Sequence, residues 1–141
     1  MESTTSNAAS EFDFKPEDII QEWLWDDDVD GDLRDRVMSL TGTELVDEDY
    51  DGVVDGVVLW WRDGDDEDEL ADTIVDAETT RGEDAPFWIV TPKPGREGAT
   101  SSFTIQNAAK NAGMNVSSPV SLSENWNGIR LVSFGKGRQE R

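Results

Sequence analysis

Short apolar runs alternate along this chain with stretches of amphipathic character. Two runs are apolar at every position, residues 57–61 and 87–90, and an apolar stripe at helical spacing (Leu70, Ile74 and Ala77) lies between them. Strands that are apolar on both faces are typical of a parallel sheet covered by helices on both sides. This part of the chain therefore predicts a parallel β-α-β unit.

The same alternation extends towards the amino terminus. Residues 18–25 predict a strand, and residues 44–46 predict a minimal second strand. Between them we predict a helix that begins at the acidic residues 26–28, whose carboxylates would cap free N–H groups, and that ends at Gly42. Its apolar stripe consists of Val29, Leu33, Val37 and Leu40.

Downstream, Ser101 or Ser102 is predicted to cap a third helix that ends at Gly113. Residues 116–122 and 129–134 predict two strands, joined by a hairpin loop over residues 123–128. The complete order predicts an α/β fold, a three-layer sandwich with a mostly parallel sheet and a C-terminal antiparallel hairpin. We expect a disordered tail over residues 1–12, a single domain over 13–134, and a polar, basic tail over 135–141.

The composition excludes several kinds of chemistry. The 141 residues include no cysteine and no histidine, so disulfides, thiolate sites and imidazole bases are absent. No apolar segment approaches the ~20 residues that span a membrane, and the polar start does not resemble a secretion signal. We therefore expect a cytoplasmic protein that does not contact a membrane. Its oligomeric state is left open, with a monomer favoured.

The net charge of −20 is distributed unevenly. Residues 1–85 contain 29 acidic and 5 basic residues, whereas residues 86–141 contain 3 acidic and 7 basic residues. The acidic part would repel nucleic acid and attract a basic protein. Solubility, or adaptation to high salt, accounts for the same charge without any partner.

The element order looks like the sheet of Rossmann-like methyltransferases, whose last two strands form a hairpin. The segments that carry a second resemblance are Gln21-Glu22-Trp23, Trp25-Asp26-Asp27, residues 44–49, 58–62 and 88–93, Ala112-Gly113-Met114, and residues 126–132. In these segments, and across nearly its whole length, the chain resembles a bacterial family of unknown function with that layout in reduced form, in its acidic actinobacterial branch. The resemblance implies this fold and no established activity.

Methyltransferases bind S-adenosylmethionine on a glycine-rich turn after the first strand, where backbone N–H groups approach the ligand. Here that turn, residues 25–31, contains one glycine and is filled by bulky and acidic residues, which indicates that cofactor binding has been lost and that no cofactor is present. The end of the predicted second strand, Asp47-Glu48, matches the acidic position that holds a ribose in such enzymes. The alternative hypothesis is therefore a site for S-adenosylmethionine or a nucleotide, or a divergent methyltransferase, formed by Asp26, Asp47, Lys93 and Arg96.

Two segments match the beginning of a calcium-binding loop, D-x-D-x-D-G. The twelfth position, which normally supplies a bidentate glutamate, is Val37 in one segment and Val58 in the other. Helix capping or loop solvation is thus the favoured interpretation, and metal binding is the weaker alternative. The carboxylates concerned are Asp26, Asp28, Asp30, Asp47, Asp49 and Asp51.

The chain has six tryptophans, and packing is the default role for those in apolar runs. Trp60 and Trp61 are neighbours in a strand, so they must face opposite sides of the sheet, whereas Trp23 and Trp25 are expected to share one side. Crowding of the carboxylates at residues 26–28 and within residues 63–69 is expected to raise their pKa values. Our leading hypothesis is a non-catalytic interaction or regulatory module that binds a basic protein through Trp25, Asp26, Asp27, Asp28, Asp65 and Asp66.

Overall fold

The computed structural model describes residues 12–62, 67–82 and 85–133. Within these ranges the chain forms three α-helices and a six-stranded sheet. Residues 1–11 of the tail predicted over 1–12, the tail predicted over 135–141, and the predicted partner-binding residues Asp65 and Asp66 lie outside the described residues. The elements are β1 (Ile20–Trp23), α1 (Gly31–Thr41), β2 (Gly56–Trp60), α2 (Glu67–Glu78), β3 (Phe87–Pro92), α3 (Ser102–Asn111), β4 (Met114–Val116), β5 (Val120–Ser121) and β6 (Trp126–Ser133).

The sheet has the order β1-β2-β3-β6-β4, with β5 paired to the other end of β6. Strands β1, β2 and β3 are parallel, and β6 is antiparallel to β3, β4 and β5. Helix α1 packs on one face of the sheet, and α2 and α3 pack on the other. The predicted α/β three-layer sandwich with a C-terminal antiparallel hairpin is therefore confirmed.

The two faces of the sheet have separate cores because successive side chains of a strand point in opposite directions. Val57, Leu59 and Trp61 pack towards α2 and α3, whereas Val58 and Trp60 pack towards α1. The prediction that Trp60 and Trp61 occupy different environments is confirmed.

The helix ends partly agree with the sequence prediction. Gly42 ends α1 with a φ of 75°, as its lack of a side chain predicted, and Ser101 caps α3. The amino end of α1 was predicted wrongly: the capping side chain is Asp30, which accepts hydrogen bonds from the N–H groups of Asp32 and Leu33. Asp26, Asp27 and Asp28 instead lie in the turn before the helix.

Two predicted strands differ from the structure. Residues 44–46 contribute a single parallel bridge, between Val46 and Gln21, and form no strand. The run over residues 116–122 divides into β4 and β5 because Pro119 lacks the N–H that a continuous ladder needs. Trp126 was assigned to a loop, but it begins β6 and packs edge-on against Trp60 at 5.1 Å between ring centroids.

Phe12, which the sequence assigned to the N-terminal tail, is buried. Its ring stacks on Phe14 at 5.3 Å between centroids, and its carbonyl oxygen accepts a hydrogen bond from the indole N–H of Trp88. Burial of two aromatic rings on the α1 face accounts for this extension of the core. Among the described helices, none has the length and apolar character needed to cross a membrane.

Candidate functional site

A cavity of about 680 Å³ lies beyond the carboxyl end of β1, and we call it the strand-tip cavity. In open α/β sheets, ligands bind at this edge, outside the carboxyl ends of the strands. One wall belongs to β1 and α1, and the opposite wall to residues 45–50, which include Val46 of the Gln21–Val46 bridge. The lining residues are Glu22, Trp25, Arg34, Leu45, Val46, Asp47, Glu48, Asp49 and Tyr50.

The base of the cavity is organised around the buried carboxylate of Glu22. Its two oxygens accept hydrogen bonds from Nε and Nη2 of Arg34, at 2.7 and 3.0 Å, and Oε2 also accepts one from the indole N–H of Trp60 at 2.9 Å. The Glu22 carboxylate raises the pKa of Arg34 above its ordinary value by hydrogen bonding. The Arg34 guanidinium carbon lies 5.9 Å from the centroid of the Trp25 ring, within cation–π range.

The acidic wall, residues 47–49, is held by the buried side chain of Gln21. Its amide nitrogen donates to the carbonyl oxygens of Asp47 and Tyr50, at 3.0 and 3.1 Å. Glu48 Oε2 accepts a hydrogen bond from the N–H of Leu24 at 2.7 Å, which ties the acidic wall to the turn after β1. All three carboxylates of this wall are exposed.

Arg62 holds the turn between β1 and α1 in place. Its Nε and Nη2 atoms donate to the two carboxylate oxygens of Asp28, at 3.0 and 2.6 Å, and Nη1 donates to the carbonyl oxygens of Leu24 and Trp60. Hydrogen bonding to Arg62 lowers the pKa of Asp28 below its ordinary value, so the expectation that crowding raises it is wrong at this position. Leu24 has a φ of 59°, an uncommon conformation for a residue other than glycine.

The structure brings some of the predicted site residues together and separates others. Trp25 and Asp47 both line the strand-tip cavity. Asp26 and Asp27 are exposed in the turn beside it, and the Asp26 carboxylate accepts the N–H of Asp27. Asp28 is engaged with Arg62, as described above.

Lys93 and Arg96 do not line the strand-tip cavity. They lie in the connection after β3, where the N–H of Lys93 donates to the carbonyl oxygen of Asn125 and the N–H of Arg96 donates to that of Lys93. The expectation that Trp23 and Trp25 share a side is wrong, because Trp23 packs against the core beneath α2 and α3 while Trp25 lies beside Arg34. The left-handed conformation of Leu24 interrupts the strand alternation between them.

The two calcium-loop matches do not form a cation site. Asp28 pairs with Arg62, Asp30 caps α1, and Asp47 accepts the N–H of Asp49 at 3.0 Å. Over residues 12–62, 67–82 and 85–133, no group of three acidic side chains could hold a metal ion. The weaker metal alternative, built on Asp26, Asp28, Asp30, Asp47, Asp49 and Asp51, therefore gains no support.

Sequence reasoning missed the polar residues that organise the cavity, namely Glu22 and Arg34 at its base and Gln21, which holds the acidic wall. Glu22 and Gln21 are polar residues inside a run that otherwise predicts a buried strand, and both are more than nine-tenths buried. A buried polar side chain must find hydrogen-bonding partners, so their position in the strand was a usable signal. Their partners could not be identified, because Trp60 and Asp47 are distant in sequence.

The fold resembles those of known methyltransferases. The magnesium protoporphyrin IX methyltransferase of Synechocystis PCC 6803, solved with bound SAM, superposes with a TM-score of 0.53 at 10% identity over 94% of this chain and 77% of that chain. A SAM-dependent methyltransferase from Aquifex aeolicus gives 0.52 at 11% identity, over 90% and 88%. Mitomycin 7-O-methyltransferase gives 0.62 at 8% identity, but only 54% of that chain is covered, against 92% of this one. At these identities the similarity establishes the fold alone.

Sequence relatives are considerably closer. Uncharacterized proteins of Mycobacterium bovis and Mycobacterium tuberculosis are each 45% identical over 127 residues, which cover 90% of this chain and 78% of each relative. Residues 9–135 match the family described as "Protein of unknown function (DUF3052)". The predicted resemblance to a bacterial family of unknown function is thereby confirmed, and the chain belongs to this family.

Proposed function

We propose that this protein is a non-catalytic binding domain whose strand-tip cavity takes a small adenosyl-type ligand, of which S-adenosylmethionine is the representative. The observation that carries this proposal is the position of the cavity, at the carboxyl edge of a methyltransferase-like sheet with an acidic residue, Asp47, on its wall. Ligands of open α/β folds bind at that edge, and an acidic residue there commonly binds ribose hydroxyls.

The remaining side chains of the cavity suit such a ligand. Trp25 is 50% exposed and Tyr50 lines the same cavity, so an aromatic base has a ring on which it can stack. The Asp47 carboxylate has one oxygen, Oδ1, bonded to the N–H of Asp49, which leaves the other able to accept a hydroxyl donor. Because the chain contains no histidine or cysteine, the proposal assigns binding and no catalytic group.

Isothermal titration calorimetry with S-adenosylmethionine and with adenosine tests this proposal. We expect a dissociation constant in the micromolar range, and ligand at ~100 times that constant should add ~2.7 kcal/mol to the unfolding free energy. Asp47→Leu should weaken binding at least ~10-fold, because it removes a hydroxyl acceptor. Asp72→Leu on the exposed side of α2 is the matched control. Absence of heat with both ligands, at millimolar concentration, would reject the proposal.

A second candidate function is that of a cytoplasmic module that binds a basic protein segment, and the exposure of Trp25 beside Asp26 and Asp27 favours it. A tryptophan rimmed by exposed carboxylates can bind Lys or Arg side chains by cation–π and ionic contacts. An arginine-rich peptide should bind less tightly to the Asp26→Asn/Asp27→Asn variant than to the unmodified protein, and less tightly at high salt. This variant retains Asp28 and hence the contact with Arg62, so equal binding would count against the acidic surface and not against folding.

A further inference from the structure

In the turn that leads into α1, backbone N–H groups that could bind a ligand anion already donate hydrogen bonds to carboxylates of the same turn. The amino end of a helix and the turn before it offer free N–H groups, which bind phosphate or carboxylate ligands. Here Asp30 accepts the N–H groups of Asp32 and Leu33, at 2.9 and 3.1 Å. Asp26 accepts that of Asp27 at 2.8 Å. These donors are thus already bonded to negative charge from the chain itself.

The turn is also joined to the acidic wall in the same manner. The N–H of Leu24 donates to Glu48 Oε2 at 2.7 Å, and a ligand anion could take that donor only by displacing a carboxylate. Such a displacement would leave the Glu48 carboxylate beside the incoming anion, and like charges at short distance repel each other.

The positive charge in the cavity, that of Arg34, is already paired with a carboxylate of the protein. Of the nine described residues that line the strand-tip cavity, Glu22, Asp47, Glu48 and Asp49 are acidic and Arg34 is basic. Both Nε and Nη2 of Arg34 are bonded to Glu22, which is 6% exposed, so this guanidinium neutralises a buried carboxylate. The lining that remains for a ligand consists of the acidic wall, the aromatic rings of Trp25 and Tyr50, and the apolar side chains of Leu45 and Val46.

We infer that the strand-tip cavity prefers organic cations and binds ligands that carry a phosphate or a carboxylate less tightly. This inference rests on the proposed function and ranks its adenosyl ligands: compounds that are positively charged and have no anionic group bind more tightly than S-adenosylmethionine, which carries a carboxylate. Sulfonium and ammonium groups suit the acidic wall electrostatically and can lie against the Trp25 ring. ATP, by contrast, meets repulsion from the wall and finds the helix-terminal donors occupied.

Calorimetry with five ligands tests the selectivity: decarboxylated S-adenosylmethionine, S-adenosylmethionine, adenosine, ATP and spermidine. We expect the decarboxylated sulfonium compound to bind at least ~10-fold more tightly than S-adenosylmethionine, because the carboxylate of the latter is repelled by the acidic wall and meets N–H groups that already donate to Asp30 and Glu48. ATP should give no measurable binding. Adenosine, which is uncharged, measures the affinity for the adenosyl group alone. Spermidine measures the affinity for a cation that lacks an adenosyl group.

Two variants that remove the same number of charges distinguish attraction by the acidic wall from attraction by the net negative charge of the protein. Asp47→Asn/Asp49→Asn keeps the acceptor that bonds to the N–H of residue 49 and removes two charges from the wall. Asp72→Asn/Asp76→Asn removes the same charge from the exposed side of α2. The wall variant should lose about tenfold in affinity for both cations, and the α2 variant should change by less than about twofold, since exposed charges far from a site are screened.

The outcomes distinguish this inference from the proposed function. ATP or S-adenosylmethionine binding as tightly as the decarboxylated compound would overturn the selectivity and leave an adenosyl site standing. If none of the adenosyl compounds binds but spermidine does, with the wall variant alone weakened, the cation site stands and the adenosyl proposal fails. Equal loss of spermidine affinity in both variants would overturn the inference, because the attraction would then come from net charge alone.

Discussion

Removal of the Glu22 carboxylate should destabilise the protein more than removal of any exposed acid, because two separate groups depend on it. Trp60 is 1% exposed, and its indole N–H donates to Glu22 at 2.9 Å. In Glu22→Ala this donor is left buried without an acceptor, which costs roughly 1–3 kcal/mol. The substitution also breaks the two hydrogen bonds from Arg34.

The Arg34 contribution must be discounted for solvent. The Arg34 side chain is 30% exposed, so water can replace part of what the carboxylate provided, and we assign roughly 1 kcal/mol to this pair. Together with the orphaned Trp60 donor, the expected loss is about 3 kcal/mol of unfolding free energy, or a fall of about 10 °C in melting temperature for a domain of this size.

Urea unfolding at pH 7, followed by tryptophan fluorescence and by circular dichroism, measures this loss. Glu22→Gln should lose less than Glu22→Ala because one carbonyl oxygen remains as an acceptor. Arg34→Met completes a double-mutant cycle, in which the coupling to Glu22→Ala should be about 1 kcal/mol. A loss below about 1 kcal/mol in Glu22→Ala would refute the reasoning, because the buried donor alone is expected to cost that much.

Three further outcomes follow from named contacts. Arg62 lowers the pKa of Asp28 below its ordinary value of 3.8, so the unfolded chain binds this proton more readily. The stabilisation is therefore present at neutral pH and is lost as the pH falls through and below 3.8, and Asp28→Asn should cost at most about 1 kcal/mol at pH 7 because the carboxylate is largely exposed. Gly56→Ala would place a Cβ atom 2.5 Å from Phe14 Cε1 and should cost about 1–3 kcal/mol, whereas Gly31→Ala meets nothing within 4 Å and should leave stability nearly unchanged. Added sodium chloride should raise the melting temperature, because a net charge of −20 opposes the compact state.

Each of these predictions can be contradicted by a specific result. For Asp28→Asn, chemical denaturation between pH 5 and pH 2.5 would give the same dependence of unfolding free energy on pH as in the unmodified protein. For the glycine pair it is equal urea midpoints. For the salt effect it is a melting temperature that falls or stays constant between about 10 mM and 500 mM sodium chloride, a range over which the screening length shortens severalfold.

The amino-acid sequence determined the features that depend on neighbouring residues. Apolar runs on both faces specified buried parallel strands, and the placement of Gly42 and Ser101 specified where two helices end or begin. The local sequence gave the wrong capping residue for α1, because several neighbouring aspartates could each cap the helix. Several aspartates precede α1, and Asp30 is the capping residue because its side chain alone reaches the N–H groups of Asp32 and Leu33 in the structure.

Only the tertiary structure decided what the polar residues do. Glu22 meets Trp60 across 38 residues, and Asp28 meets Arg62 across 34. These contacts exist because β1 pairs in parallel with β2, in a register that sets Glu22 beside Val58 and Trp23 beside Leu59. Strand order and register follow from how both faces of the whole sheet are covered, and no local pattern contains that information. The strand-tip cavity therefore exists only in the folded sheet. It is formed by segments that are distant in sequence and that, taken separately, indicate only a turn, a helix and an acidic loop.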